Sequence, residues 1–184
     1  MTKDWTLPTS RRYSYSVTDV VLDSVLTSPV LRGLRDYWRE KAGTRDMPSR
    51  ADLDPIDIPR FLPHIAIADV FHNPRRYRHR LLGTFITTLY ERDSTGKWIG
   101  GDLYGTNAER MLWVYDQCVA SRASVAIREA LTFARKDWVA VESLLMPLVG
   151  PDGQIDMIFG GLDVVPGRPP MNQPDWRIIL DCDL

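Results

Sequence analysis

The chain has 184 residues, 44% of them hydrophobic and 26% charged, with 23 basic residues against 24 acidic and a formal net charge of -1. That is the make-up of one globular domain with extra segments, able to bury roughly 70% of the surface its unfolded chain exposes, and it excludes disorder throughout. The near-neutral balance excludes a general pull toward nucleic acid or an anionic membrane, and two cysteines outside any CxxC, Cys118 and Cys182, exclude a disulfide scaffold and a structural zinc site.

Residues 1–28 read as an N-terminal arm. Met1-Thr2-Lys3-Asp4-Trp5 lacks the apolar run of a secretion signal, and no window reaches the roughly 18 apolar residues of a spanning helix, so a cytoplasmic location is expected. Ser28-Pro29 is a helix start, with Ser28 as cap and Pro29 in the first turn. Leu31, Leu34, Tyr37 and Trp38 recur at three- and four-residue spacing over 29–42, and Gly43 is the stop. This apolar stripe must be buried against the sheet or a second copy, and it is the candidate dimer or partner interface. The Pro- and Asp-rich stretch to residue 64 reads as a rigid connector, with Asp54-Pro55 and Ile58-Pro59 opening short helical turns.

The core is expected over 65–165. His64–Phe71 and Arg76–Leu82 read as two strands joined at His72-Asn73-Pro74-Arg75. Alternation puts Tyr77, His79 and Leu81 on one face of the second strand and Arg76, Arg78, Arg80 and Leu82 on the other. A short irregular or helical piece starts at Gly83, Asp93–Lys97 is a turn, and a helix capped at Thr106 or Asn107 runs to about Ser121. Three more strands follow, Ser124–Phe133, Trp138–Leu148 and Ile155–Leu162, with turns at Arg135-Lys136-Asp137 and Pro151-Asp152-Gly153. Residues 166–184 form a Pro/Gly-rich tail with a last extended piece at Trp176–Leu180. Turns this short force antiparallel pairing, so the fold class is α+β: a five-stranded antiparallel sheet with flanking helices on one face, the other face left to a partner or to the N-terminal helix.

This order, with the runs Leu34–Trp38, Met47–Pro55, Leu62–Ile65, Tyr77–Thr84, Thr95–Lys97 and Met146–Leu148, resembles the PAS domain, and most closely the small stand-alone PAS-like proteins of alphaproteobacteria. The resemblance implies a sensory or protein-interaction module that holds a small molecule between sheet and helices, or holds nothing and acts through dimerisation. The chain lacks a flavin-binding Asn-Cys-Arg motif, and no histidine lies at 105–121, where a haem ligand of such sensors is expected, so no cofactor is expected.

The candidate ligand-binding residues are His64, Arg80, Thr84, Thr87, Tyr90, Trp98, Trp113 and Tyr115. Arg80 suits a buried carboxylate or an anion through its planar fork, His64 satisfies a backbone carbonyl or acts as a switch, and the aromatics with Thr84 and Thr87 rim a pocket. The competing reading makes the arginines a solvated face and the aromatics ordinary core. Glu142 is expected on an exposed face. Three histidines form no metal set, and no GxSxG, HExxH or Cys-His pair appears, so neither metal nor catalytic residues are expected. The expectation is a non-enzymatic sensory domain that binds a small ligand and acts as a homodimer or through a signalling partner, without nucleic acid or membrane; the alternative is a ligand-free adaptor.

Overall fold

In a computed structural model of the chain, which describes residues 2–6, 12–16, 26–131, 134–167 and 179–180, the helix expected at Ser28-Pro29 spans Pro29–Ala42 (α1). The Ser28 hydroxyl accepts from the Leu31 amide, and Pro29 takes a first-turn position whose N–H would have no helical partner. Ahead of it, Thr2–Thr6 (β1) and Arg12–Ser16 (β2) pair antiparallel where the sequence reads as an irregular arm.

The connector after α1 is three 3-10 turns, Arg50–Asp52, Pro55–Asp57 and Leu62–His64. Its aspartates cap. Asp52 accepts from the Ser49 amide at 2.7 Å and the Ser49 hydroxyl at 2.8 Å, and Asp54 accepts from the Ile56 amide at 2.9 Å. Arg45 beside Asp52, with the Ser49 donors, holds that carboxyl well below the usual carboxylate range.

Six strands follow: β3 (Ile65–His72), β4 (Arg75–Leu82), β5 (Val125–Leu131), β6 (Lys136–Val149), β7 (Ile155–Val164) and β8 (Ile179–Leu180). They pair antiparallel in the order β4-β3-β7-β6-β5, with two-residue β8 on the outer edge of β5. The five main strands are the predicted sheet. The last of them, β7, lies between the two hairpin groups, with Ile65 opposite Gly161 on one side and Leu144 opposite Gly161 on the other. Helices α2 (Thr84–Tyr90), α3 (Gly101–Tyr104) and α4 (Ala108–Ser121) connect β4 to β5. Asn107 stands at the start of α4, yet its side chain does not cap the helix; its oxygen accepts from Arg110.

The sheet is covered on both faces. Helices α2–α4 take one. On the other, α1 lies over β6 and β7, its Leu31 and Leu34 packed onto the Cα of Gly161, the Trp38 indole donating to the Pro147 carbonyl at 3.0 Å, and the Tyr37 ring edge-on to Phe159 at 6.5 Å. This corrects the expectation that Leu31, Leu34, Tyr37 and Trp38 form a dimer or partner surface: all four are buried inside this chain. Of the two ways to cover that stripe, the sheet prevailed, because four large apolar groups lose their contact with water without a second molecule.

Glu142 is a second correction. It is 1% exposed, on the α1 face of β6. Its carboxylate accepts from the Thr27 amide at 2.9 Å, the Ser28 amide at 2.9 Å and the Thr27 hydroxyl at 2.6 Å, while the Ser28 hydroxyl donates to Asp163 at 2.6 Å. Two sheet carboxylates thus grip the entry to α1, where helix amides lack partners and the dipole favours negative charge.

A third correction concerns β4. Between Ile67 and Ala68 the partner jumps from Leu81 to His79, leaving Arg80 as an extra, bulged residue. Strict alternation fails at that point. Tyr77 and His79 face the helices as expected, but Leu81 lies on the opposite face and is 40% exposed, and Leu82 takes the inward place.

Candidate functional site

Between the sheet and α2–α4 lies a cavity of about 40 Å³. The sheet carries small residues there: Ala66 and Ala68 on β3 line it where larger side chains would fill the space, and Gly160 on β7 lines it where an added Cβ would meet the β6 backbone. The helical wall supplies Ile86 and Tyr90 from α2, Tyr104 from α3, and Met111 and Tyr115 from α4; Ser143 adds one hydroxyl from β6.

His79 is the polar centre of the lining. Its Nε2 is 2.9 Å from the Tyr104 hydroxyl, and its Nδ1 has no hydrogen-bond partner among the described residues. Burial, with the Arg92 guanidinium acting in the same direction, lowers its pKa to about 4, so the ring is neutral near neutral pH. Burial likewise pushes the Tyr90, Tyr104 and Tyr115 hydroxyls up, which keeps them protonated. Nearby, Arg110 of α4 donates to Glu129 of β5, and both are buried. Burial raises the Glu129 pKa, and Arg110 opposes that rise. The pair is internally compensated, and the lining is aromatic, aliphatic and hydroxylic around a neutral His79, with the Arg92 guanidinium behind Tyr104.

Of the eight ligand-binding residues named from the sequence, Tyr90 and Tyr115 line this cavity and six do not. Trp113 is buried in the core, away from the lining. Thr84 is exposed at the start of α2, and the Thr87 hydroxyl donates to the Thr84 carbonyl. His64 stacks on Phe85 at 4.2 Å, with Nδ1 3.2 Å from the Leu162 carbonyl and 3.5 Å from Asp163. Arg80 and Trp98 lie on the outer surface: Arg80 meets Asp69 at 3.2 Å, and Trp98 is 40% exposed. Arg80 does find a mostly buried carboxylate, but on the α1 face of the sheet. The residues missed are His79, Tyr104 and Ser143. His79 was legible as a neighbour of Tyr77 on one strand face; Tyr104 was not, because Gly100-Gly101 reads as a turn and hides the short helix behind it.

Among the described residues no three His, Cys, Asp or Glu side chains gather as a metal site, and no helix is long and apolar enough to cross a membrane. Cys118 is buried in α4, and burial raises its pKa, which disfavours the nucleophilic thiolate.

A family model described as a PAS domain matches residues 26–163, three quarters of the chain. The crystal structure of a sensory box sensor histidine kinase from Vibrio cholerae is similar at 15% sequence identity and a TM-score of 0.43, covering 60% of this chain and 87% of that one. Among curated proteins, none matches the chain. The family match begins ahead of α1 and runs to the last residues of β7, taking in the connector, both hairpin groups and the cavity between sheet and helices: the chain belongs to the PAS-domain family.

Proposed function

We propose that this chain is a non-enzymatic sensory domain that holds a small, uncharged molecule between its sheet and α2–α4 and reports occupancy to a signalling partner or a second copy. The observation that supports it is the cavity itself, apolar except for a neutral histidine and a few hydroxyls. Such a lining orients a ligand through one or two hydrogen bonds and gains the rest from apolar contact. No charged side chain is among the cavity's lining residues, so a charged occupant would lose its hydration without a direct ionic contact. About 40 Å³ holds roughly two or three waters, so an occupant without rearrangement of α2 has only a few non-hydrogen atoms.

That small volume also favours a second reading, a ligand-free adaptor in which the chamber is merely imperfect packing. Native mass spectrometry of the protein purified from its own organism, paired with thermal shifts across small neutral metabolites, separates the two. The sensory reading expects a retained mass or a saturable rise in Tm, lost in Ala68→Leu, which fills the chamber. No retained mass and no shift with any compound would leave the adaptor.

A further inference from the structure

Beyond α1 the connector covers the near end of β3, where Ile65 and Ile67 are buried, so this face of the sheet is open only over β4 and the far end of β3. That open part has a composition unlike the rest of the surface. Ile65, Ile67 and Phe159 floor a cleft of about 20 Å³ against the connector, with Leu53, Pro55 and Ile58 as its wall and Arg50 and Asp54 at its rim. Leu81 stands opposite Ile67 in the β3–β4 ladder, and Phe71 lies further along the same face of β3. Six large apolar side chains are exposed among the described residues, and Phe71, Leu81 and Trp98 are three of them, at 38%, 40% and 40%. A fourth, Ile56, sits on the turn that supplies Pro55 to the cleft.

The same surface is cationic. Arg76 and Arg78 project from this face of β4, and the bulge adds Arg80 beside them. Asp69 takes Arg78 at 2.8 Å and Arg80 at 3.2 Å. Among the described residues Arg76 has no carboxylate partner; its guanidinium lies 3.7 Å from the centre of the Trp98 ring, and Trp98 meets Phe71 edge-on at 5.1 Å. Three guanidinium groups against one carboxylate leave an excess of positive charge in a chain whose total is -1. An edge bridge to Arg78 fixes the Trp98 backbone beside β4, which places its ring against Arg76 and Phe71.

From this we infer that the open β3–β4 face is a docking surface for an acidic segment of a partner protein, one that carries apolar side chains among its carboxylates. The carboxylates would meet Arg76 and the outer edges of Arg78 and Arg80, and the apolar groups would sit on Leu81, Phe71 and the cleft beside Ile67. Exposed Trp and Arg in contact are the residue types that dominate binding energy at protein interfaces. Nucleic acid fits less well. The Trp98 ring has one face taken by Arg76, which removes it as a base-stacking platform, and the exposed Phe71 and Leu81 side chains beside it have no counterpart on a sugar-phosphate backbone. The inference concerns the face opposite the chamber and stands whether or not a ligand fills that chamber.

The test uses the full chain and defined probes: a fluorescein-labelled peptide of about 15 residues alternating Glu with Leu and Phe, which extended reaches roughly 50 Å, a second with every Glu replaced by Gln, and a third with every Leu and Phe replaced by Ser. Fluorescence anisotropy should show the first binding at least about tenfold more tightly than either control, with affinity falling as salt rises to roughly 0.3 M. Arg76→Glu and Trp98→Ala, both surface changes checked for an unaltered far-UV spectrum, should each weaken the first peptide about tenfold or more, and Arg76→Lys should restore part of the loss. Equal binding of the Gln or Ser peptide overturns the inference, as does unchanged affinity in both variants. Tighter binding of a single-stranded oligonucleotide of equal length would also overturn it. So would a change of oligomeric state in Trp98→Ala with no effect on the peptide, which would make this a contact between copies.

Discussion

Two buried polar residues show how chemistry that is silent in the sequence becomes specific in the fold. Glu142 sits between Val141 and Ser143 in a run of apolar residues, and nothing local distinguishes a surface glutamate from a buried one. Only the return of Thr27 and Ser28 across more than a hundred residues of chain supplies its three donors. Glu142→Ala leaves the buried Ser28 amide without its acceptor, and a loss of about 1–3 kcal/mol is expected from the urea midpoint at constant m-value. His79 carries a pH signature. Its pKa is lowered to about 4 in the folded chain against roughly 6.5 unfolded, so the unfolded state takes up a proton first as pH falls. The stability this neutral ring contributes is present in full above pH 6.5. It is lost as the pH drops from about 6.5 to about 4, and changes no further below that. Urea titrations at pH 7 and pH 4.5 should show the drop in the wild-type chain, and His79→Gln should flatten it; equal pH slopes for the two proteins would contradict the assignment.

At the scale of elements, what was legible was what is decided locally. The cap at Ser28, the stop at Gly43, the stripe of α1, and the turns at Asn73-Pro74 and Pro151–Gly153 all carry their signals within a few residues. The bulge at Arg80 was not legible, because a bulge is a property of two paired strands and the alternation of one strand cannot announce it. The two glycines of β7 belong with it. An added methyl at Gly161 would meet Leu34 at 2.7 Å and Leu31 at 3.1 Å on α1, with the His64 carbonyl at 3.0 Å. Gly161→Ala therefore has to lift α1 from the sheet or force its leucines off their rotamers. A destabilisation of about 1–3 kcal/mol is expected by thermal denaturation, together with greater exposure of Trp38 in a fluorescence quenching experiment. An unchanged Tm would mean that α1 adapts without strain.

For the whole molecule, the sequence pattern reached the fold class and the number of main strands, since short turns leave antiparallel pairing as the only choice. It did not reach the order in which the strands lie. That order rests on β7 inserting between β3 and β6, a pairing of residues near 65 with residues near 161 that no local signal encodes. The candidate site was hidden for the same reason. The cavity lining comes from five strands and three helices, and its identity follows from which strands are neighbours. Aromatic residues near the middle of the chain were a fair guide to its helical wall, as Tyr90 and Tyr115 show, and a poor one elsewhere, as Trp98 shows.

Neighbouring residues of β6 look in opposite directions: Ser143 into the chamber, Glu142 toward the Thr27 and Ser28 amides just ahead of α1. The sheet is one backbone thick, and its packed faces resist compression. Under the sensory reading proposed above, a molecule pressing on Ser143 from within would bear on the strand whose next side chain, Glu142, holds the cap of α1, which makes β6 the lever between chamber and outside helix.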